Sequence, residues 1–394
     1  MTRSRPAQNE GIGIPRGRLA VLGLITIAVY GSWSYSFGVL LDPIITDTGW
    51  SEPAVAAVFS SSSLVAGLGG LAGGWLLDRW GSRLVFAVAA VVGGGALVLA
   101  ADATTVTAFA TGGTVGGGVL ASLGFYHVTQ TAAVRISPGS EDRAIAVLTI
   151  WGAFASVIYI PLSAWLVTQY DWRITLRILG ITSALALLTG VLSVDTRRRQ
   201  DTSPQPVFRD VGQTVRSGRA LRFLTSQALA GVGVGTILVY QVPAMTAAGL
   251  ALGVASFWAG FRGFAQLGGR LPLMPVVRRL GVAVTLRIAY GAIAVGSVAL
   301  ALSGSHVLAA AYAVFAGFGI GAVSPLVGMH SRSVFGQANM GTAMGLVSLV
   351  FHVANALGPV GAASLAESTG SRALPVAISA ALLAGAALVV RASD

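Results

Sequence analysis

Two residue types are missing from the 394-residue sequence: it has no cysteine and no lysine, so all 25 basic residues are arginine. Without cysteine the chain forms no disulfide, no thiolate-held iron–sulfur cluster and no thiolate zinc site. Charged residues are also scarce, at 10% of the sequence against about 25% in a soluble domain. Together with 54% hydrophobic residues and a mean hydropathy of +0.78, this scarcity predicts an integral membrane protein.

Many apolar segments have the length that one helix needs to cross about 30 Å of hydrocarbon. We predict twelve spans, at 19–41, 53–77, 84–101, 106–134, 144–168 and 174–194, and then at 221–247, 254–276, 284–302, 307–331, 341–365 and 374–390. The first apolar run is too long for the core of a signal peptide, so we interpret it as a transmembrane helix.

The positions of the arginines predict the orientation of the chain. If the N terminus is cytoplasmic, nearly all arginines fall in cytoplasmic segments, and only Arg173, Arg177 and Arg372 fall in external loops. Such an imbalance is typical of multi-pass membrane proteins and accounts for the net charge of +11 without a nucleic-acid partner. We therefore expect a multi-pass protein of the cell (inner, cytoplasmic) membrane with both termini in the cytoplasm.

A polar linker at 196–219, with a short surface helix expected at 207–215, separates an N-terminal half (1–195) from a C-terminal half (220–394). The halves resemble each other. GWSEPAVAAVFS from Gly49 matches GLALGVASFWAG from Gly249, and LLDRWGSRL from Leu76 matches VVRRLGVAV from Val276, both at an offset of 200 residues. Parallel repeats of this kind are typical of secondary transporters that bind substrate near the bilayer midplane, between the repeats.

The segment GGWLLDRWGSR (73–83) resembles the G-x-x-x-D-R-x-G-R-R-type loop of the major facilitator superfamily. The matching positions are Gly74, Asp78, Arg79, Gly81 and Arg83. This resemblance implies an all-α membrane fold of twelve transmembrane helices in two six-helix halves. It also implies that the loop is a latch for the outward-open state. We expect Gly74 to let two helices approach and Asp78 to pair with arginines across the interface between the halves.

Shorter segments resemble the monocarboxylate and oxalate–formate branch of that superfamily: SYSFGVLLDPIITDTGWSE (34–52), YDWR (170–173) and NALGPVGA (355–362). In monocarboxylate carriers, span 8 carries D-x-x-x-R, whose Arg binds the substrate carboxylate and whose Asp takes part in proton coupling. Gln266 and Arg270 stand at those positions here, and Tyr35 replaces a lysine of span 1. The resemblance implies an anion anchor at Arg270 without the familiar proton-coupling groups.

Arg262, Gln266 and Arg270 share one helix face, because they are spaced i, i+4 and i+8. A cation in the membrane costs at least about 2.5–3.5 kcal/mol, so an intramembrane arginine indicates function by default. Two alternatives stay open: Arg270 snorkels towards the headgroups, and Arg262 snorkels or pairs with a backbone carbonyl. No Asp or Glu lies in the middle of any span, so the fixed charge favours an anionic substrate.

Further polar and aromatic residues in the spans complete the candidate binding set. The histidines are the remaining groups that could carry a proton, although hydrogen-bonded packing is the alternative for each. The aromatic residues could equally pack between helices. The set comprises His352 and Asn355 in span 11, Tyr126, His127 and Gln130 in span 4, Tyr30, Trp33 and Tyr35 in span 1, and Tyr240 and Gln241 in span 7.

These observations predict a secondary active transporter that moves a small organic anion, most simply a monocarboxylate, by alternating access. The alternatives are an exporter of drugs or other amphipathic solutes, and an antiporter of dicarboxylates or aromatic acids, which would fit if both arginines face one cavity. Symport, antiport and uniport stay open, as does coupling to protons. We expect a monomer in the lipid bilayer, with no enzymatic activity, no catalytic residue, no cofactor and no metal.

Overall fold

A computed structural model describes residues 15–196, 217–335 and 340–390 of the chain. This part of the chain forms helices joined by short turns and contains no strand. Ten of its helical segments are long and apolar enough to cross a membrane. The two remaining predicted spans are the helix Leu252–Arg270 and the 17-residue helix Ala373–Val389. The predicted all-α membrane fold is confirmed.

The helices of the N-terminal half follow the predicted spans closely. Span 1 widens into a π-helical stretch, Tyr30–Tyr35, at mid-length, and spans 2 and 3 run into each other through a non-helical Gly81 (φ 76°). In order, the half contains α1 (Arg16–Val29), the stretch Tyr30–Tyr35, α2 (Phe37–Thr48), α3 (Glu52–Val88), a second π-helical stretch (Ala89–Gly94), α4 (Gly95–Ala101), α5 (Val106–Gly124), α6 (Tyr126–Ile136), α7 (Glu141–Gln169) and α8 (Trp172–Ser193).

The C-terminal half contains α9 (Gly218–Ala247), α10 (Leu252–Arg270), α11 (Leu273–Leu280), α12 (Val282–Ala301), α13 (His306–Phe335), α14 (Met340–Thr369) and α15 (Ala373–Val389). Predicted span 8 is not one continuous helix, because it breaks after Arg270. Pro272 has no backbone N–H to continue the ladder of hydrogen bonds. Arg270 therefore lies in the last turn of α10, where the helix dipole favours a cation.

The repeat of the sequence extends to the backbone. Gly49 and Gly249 both adopt positive φ, at 70° and 95°, and so do Gly81 and Gly281, at 76° and 78°. Both pairs keep the offset of 200 residues, and glycine adopts this conformation without the steric cost that a side chain adds. The predicted linker lies outside the described residues except for Thr196 and 217–219, and its expected helix at 207–215 lies outside them entirely. The predicted boundaries of the halves stay predictions.

Side-chain contacts define two ends of the bundle. At the first, which we call the linker end, the Ser82 hydroxyl donates to the carbonyl of Val194 (2.8 Å), and the Ser82 N–H donates to the Thr196 hydroxyl (3.0 Å). At the opposite end, the Trp172 indole donates to Asp47 (2.9 Å). The halves meet where α3 packs on α14, α7 on α10 and α2 on α9.

The close approach of α3 to the neighbouring helix involves Gly73 and not Gly74, which corrects our expectation. A Cβ built on Gly73 would lie 2.2 Å from the Ser122 carbonyl oxygen, whereas a Cβ on Gly74 meets nothing within 4 Å. The sequence motif had suggested Gly74. The rotation of α3 instead turns the adjacent Gly73 towards α5.

Exchanging these adjacent glycines for alanine separates close packing from helix propensity. We expect Gly73→Ala to destabilise the protein by about 1–3 kcal/mol, because the Ser122 backbone must move. Gly74→Ala has open space and serves as the control. The melting temperatures of the purified variants in detergent measure the difference, and equal values would contradict the assigned contact.

Candidate functional site

Arg262 is fully buried where α10 faces α9 and α13. Its Nε donates to Gln241 Oε1 (3.0 Å), and the Tyr312 hydroxyl donates to the same oxygen (2.9 Å). The Gln241 amide nitrogen in turn donates to the Leu238 carbonyl (3.1 Å), which fixes the orientation of the amide. The Tyr35 ring centroid lies 5.7 Å from the guanidinium carbon. One edge of the guanidinium is thus held by protein groups.

The other edge of Arg262 has no such partner. Its Nη1 and Nη2 atoms are both buried, and neither forms a hydrogen bond within the described part of the chain. None of the ion pairs among the described residues involves this side chain. A buried charge is normally paired, because desolvation without compensation is expensive. Arg262 therefore presents an uncompensated pair of N–H donors inside the bundle.

Arg270, two turns further along α10, is bound by backbone carbonyls of both halves. Its Nη1 donates to the Thr149 carbonyl of α7 (3.0 Å), and its Nε donates to the Gly321 carbonyl of α13 (3.3 Å). Thr149 also accepts from the Tyr126 hydroxyl at its carbonyl (3.4 Å) and from the Gln130 amide at its hydroxyl (3.3 Å). Three candidates from the sequence, Arg270, Tyr126 and Gln130, therefore converge on one residue that the sequence did not indicate.

Aromatic side chains lie between the two arginines. Tyr30 is 6.3 Å from Tyr35 and 5.2 Å from Tyr126, measured between ring centroids, and it stacks on Phe125 at 3.7 Å. The Tyr126 hydroxyl and Arg270 Nη1 both donate to the Thr149 carbonyl oxygen, so the cluster ends beside Arg270. The π-helical stretch carries Tyr30 and Tyr35, and π-helical turns are frequent at functional sites.

The two histidines pack against the same glycine-rich face of α3. A Cβ on Gly67 would lie 2.6 Å from the Cβ of His352, and a Cβ on Gly70 would lie 3.6 Å from the His127 ring. A ring nitrogen of His127 bonds the Ser122 carbonyl, and one of His352 bonds the Ser348 carbonyl, both at 2.7 Å. Each histidine thus keeps one ring nitrogen for another partner.

A cavity of about 360 Å³ reaches the aromatic cluster from the side of α9, α12, α13 and α14. Tyr30 and His352 line it, together with Gln227 and Tyr290, which share a hydrogen bond of 2.8 Å. Neither arginine is among the lining residues, so Arg262 is occluded in this conformation.

Apart from Gln266, the remaining candidates lie away from the arginines. Trp33 is buried and donates to the Ser62 hydroxyl (2.7 Å), which is a packing contact inside the N-terminal half. Asn355 donates to the Gly231 carbonyl (3.4 Å) and so joins α14 to α9. Gln266 is buried between the two arginines and forms no side-chain hydrogen bond with the described residues. Tyr240 belongs to a contact at the opposite end.

The loop that we expected to latch the halves forms contacts within one half. Asp78 pairs with Arg135, and Arg83 with Asp195 (3.6 Å), all in the N-terminal half. Arg79 lies over the Trp75 ring at 5.5 Å. The expected pairing of Asp78 across the interface is therefore wrong for this conformation, because Arg135 at the end of α6 is the nearer cation. The sequence motif alone does not show which arginine pairs with Asp78.

A charged contact at the opposite end does join the halves, and the sequence analysis did not single it out. Arg372, just before α15, donates to Asp42 (2.8 Å) and to Glu52 (3.1 Å), and the Tyr240 hydroxyl donates to Glu52 (2.5 Å). We call these four residues the clasp. Burial disfavours the charge of Arg372, but its hydrogen bonds and attraction to Asp42 and Glu52 prevail and raise its pKa above the ordinary value. Arg372 stood out in the sequence only as an isolated external arginine.

The fold of this chain is similar to that of membrane transporters with solved structures. The chain superposes on a crystal structure of the nucleoside transporter NupG with a TM-score of 0.80 at 16% identity, over 95% of this chain and 97% of that one. It also superposes on a POT family transporter solved with 5-aminolevulinic acid, with a TM-score of 0.73 at 13% identity, over 97% of both chains. At such identities these likenesses show the fold alone, which is that of membrane transporters.

The sequence profile of the Major Facilitator Superfamily matches residues 22–305, so the chain belongs to that superfamily. A Bacillus subtilis (strain 168) protein described as a probable galactarate/D-glucarate transporter is 28% identical over 152 residues. That match covers 36% of this chain and only 33% of the relative. The chain is therefore a multi-pass, all-α membrane transporter of that superfamily. The monocarboxylate branch, the particular membrane and the orientation stay predictions.

The clasp predicts a measurable effect on the distance between the halves. The natural sequence lacks cysteine, so Gln169→Cys and Ser305→Cys, both exposed, would carry the only two spin labels. We expect Arg372→Gln to add a longer distance between these labels, because it removes the ion pairs that join the halves. Arg177→Gln is the matched control, since Arg177 pairs with Asp102 inside one half. An unchanged distance distribution in Arg372→Gln would show that the clasp does not hold this end closed.

Proposed function

We propose that this protein is a secondary transporter of small organic anions and that Arg262 binds the carboxylate. The observation that carries the proposal is the buried edge of Arg262, whose Nη1 and Nη2 have no partner within the described residues. Two parallel N–H donors on a planar guanidinium match the two oxygens of a carboxylate. One carboxylate, as in a monocarboxylate, is the smallest group that completes this site.

The charge balance of the bundle supports an anion. Arg262 and Arg270 lie inside the helical bundle, whereas the ion pairs among the described residues lie at its two ends. An anion that enters the bundle therefore offsets charge that the protein itself leaves uncompensated. An exporter of neutral amphipathic solutes has no need for such an arginine.

The curated relative supports the same class, because galactarate and D-glucarate, the solutes in its name, are organic acids.

Transport by alternating access requires that the two ends of the bundle open in turn. With the linker end in the cytoplasm, the clasp closes the external end. Tyr240 of the clasp and Gln241, which holds Arg262, are neighbours on α9, so α9 connects the external closure to the anion site.

Uptake by proteoliposomes tests the proposal, with a panel of lactate, benzoate, D-gluconate and D-glucarate as probes. We expect Arg262→Gln to lower uptake of every transported anion by about ten- to a hundredfold, since charge-assisted hydrogen bonds contribute about 1.5–3 kcal/mol. Arg287→Gln removes the same charge from an exposed position of α12 and is the matched control.

The melting temperature of each variant separates lost binding from lost folding, and Arg262→Lys keeps the charge but removes the planar fork. We expect this lysine variant to fold and to transport weakly. Wild-type uptake by folded Arg262→Gln would overturn the proposal.

A further inference from the structure

We propose that the short helix α11 (Leu273–Leu280) binds an anionic phospholipid. Arg278 and Arg279 bind the headgroup, and exposed apolar side chains beside them contact the acyl chains. This lipid site is separate from the anion site at Arg262, and neither depends on the other. It lies at the linker end of the bundle, where α10 ends at Arg270.

The residues of α11 separate into an apolar face and a charged face. The apolar residues are spaced i, i+3, i+4 and i+7 and therefore share one side of the helix. They are Leu273, Val276, Val277 and Leu280. Leu273 is buried and Val277 packs against the hydrophobic core, so the bundle holds part of this face. Arg278 and Arg279 lie on the other side of the helix and are exposed.

The protein leaves apolar surface uncovered at the same place. Leu271, which lies between α10 and α11, is 84% exposed, and Met274 and Leu280 are each 47% exposed. The chain breaks its helix at Pro272, so these side chains lie where a span ends and the headgroup region begins. Apolar side chains on one face and arginines on the other are typical of helices that lie in the membrane interface.

Comparison of the two repeats shows that the charge of this segment has changed. At the offset of 200 residues, Arg278 of α11 stands where α3 has Asp78. Asp78 pairs with Arg135, so the first copy compensates a cation with an acid of its own. The second copy has two adjacent arginines instead, and neither takes part in the ion pairs among the described residues. An anionic group from outside the protein would offset their mutual repulsion.

A lipid fits this surface better than a free phosphate does. A guanidinium binds phosphate oxygens through charge-assisted hydrogen bonds, and each arginine near an anionic membrane surface contributes about fivefold in affinity. A free phosphate would use only the arginines, whereas a phospholipid also covers Leu271, Met274 and Leu280 with its acyl chains.

Two lipids with identical acyl chains test the site, because dioleoylphosphatidylglycerol is anionic and dioleoylphosphatidylcholine has no net charge. Native mass spectrometry of the purified full-length protein measures the affinity of the first bound lipid. We expect the wild type to bind phosphatidylglycerol about ten- to thirtyfold more tightly than phosphatidylcholine. The double variant Arg278→Gln/Arg279→Gln should lose this factor for phosphatidylglycerol and bind phosphatidylcholine as the wild type does.

The double variant Arg143→Gln/Arg332→Gln is the matched control, because it removes two exposed charges from the same end of the bundle. It should keep the preference for phosphatidylglycerol. Leu271→Ser tests the apolar part and should weaken the binding of both lipids by a similar factor. Melting temperatures verify that each variant folds.

Three results would overturn the inference. The first is equal affinity of the wild type for the two lipids, and the second is an equal loss in the control, which would indicate attraction by net charge alone. The third is binding of glycerophosphoglycerol, the headgroup without acyl chains, as tightly as the lipid, which would indicate a site for a soluble phosphate. None of these results bears on the anion site at Arg262.

Discussion

A guanidinium with an uncompensated edge, buried among apolar helices, is the constraint on which the rest of this structure depends. Gln241 and Tyr312 bind only the Nε side of Arg262, and the Nη side remains for a ligand. A Cβ on Gly317 would lie 2.5 Å from the Arg262 carbonyl oxygen, so α13 packs directly against the backbone that carries the arginine. The equivalent position of the first repeat is Ser62, which bonds Trp33 and leaves no charge. The two copies thus share a backbone plan but differ at the position that we propose binds the anion.

The bundle connects this site to its closure through one helix. On α9, Tyr240 contacts the clasp and the next residue, Gln241, holds Arg262. At the same level of α9 the backbone of Gly38 approaches Val239, whose carbonyl would lie 2.3 Å from a Cβ on that glycine. In the transport cycle that we propose, opening of the clasp moves Tyr240 and with it the adjacent Gln241, which positions the arginine. The ion pairs at the linker end lie within the N-terminal half, so among the described residues the ion pairs that join the halves lie at the opposite end.

Periodicity and composition were sufficient to predict the helices, the repeat and the shared face of Arg262, Gln266 and Arg270. The contacts that give these residues different surroundings could not be predicted, because they come from distant parts of the chain. The clasp joins residues more than 300 positions apart, and the Thr149 group that binds Arg270 is a backbone carbonyl, which leaves no trace in the sequence. The family resemblance favoured Arg270 as the anchor, whereas the unpartnered donors belong to Arg262. The close packing at Gly73 in place of Gly74 depends on helix rotation, which a motif does not specify.

An experimental structure with D-glucarate bound at saturating concentration tests the central claim most directly. The account predicts a carboxylate with its two oxygens about 2.7–2.9 Å from Nη1 and Nη2 of Arg262, as in charge-assisted pairs. The contact between the carboxylate and Arg262 is expected whether the clasp is closed or open in the captured state. A bound anion elsewhere in the protein, with the Nη edge of Arg262 still unpartnered, would contradict the account.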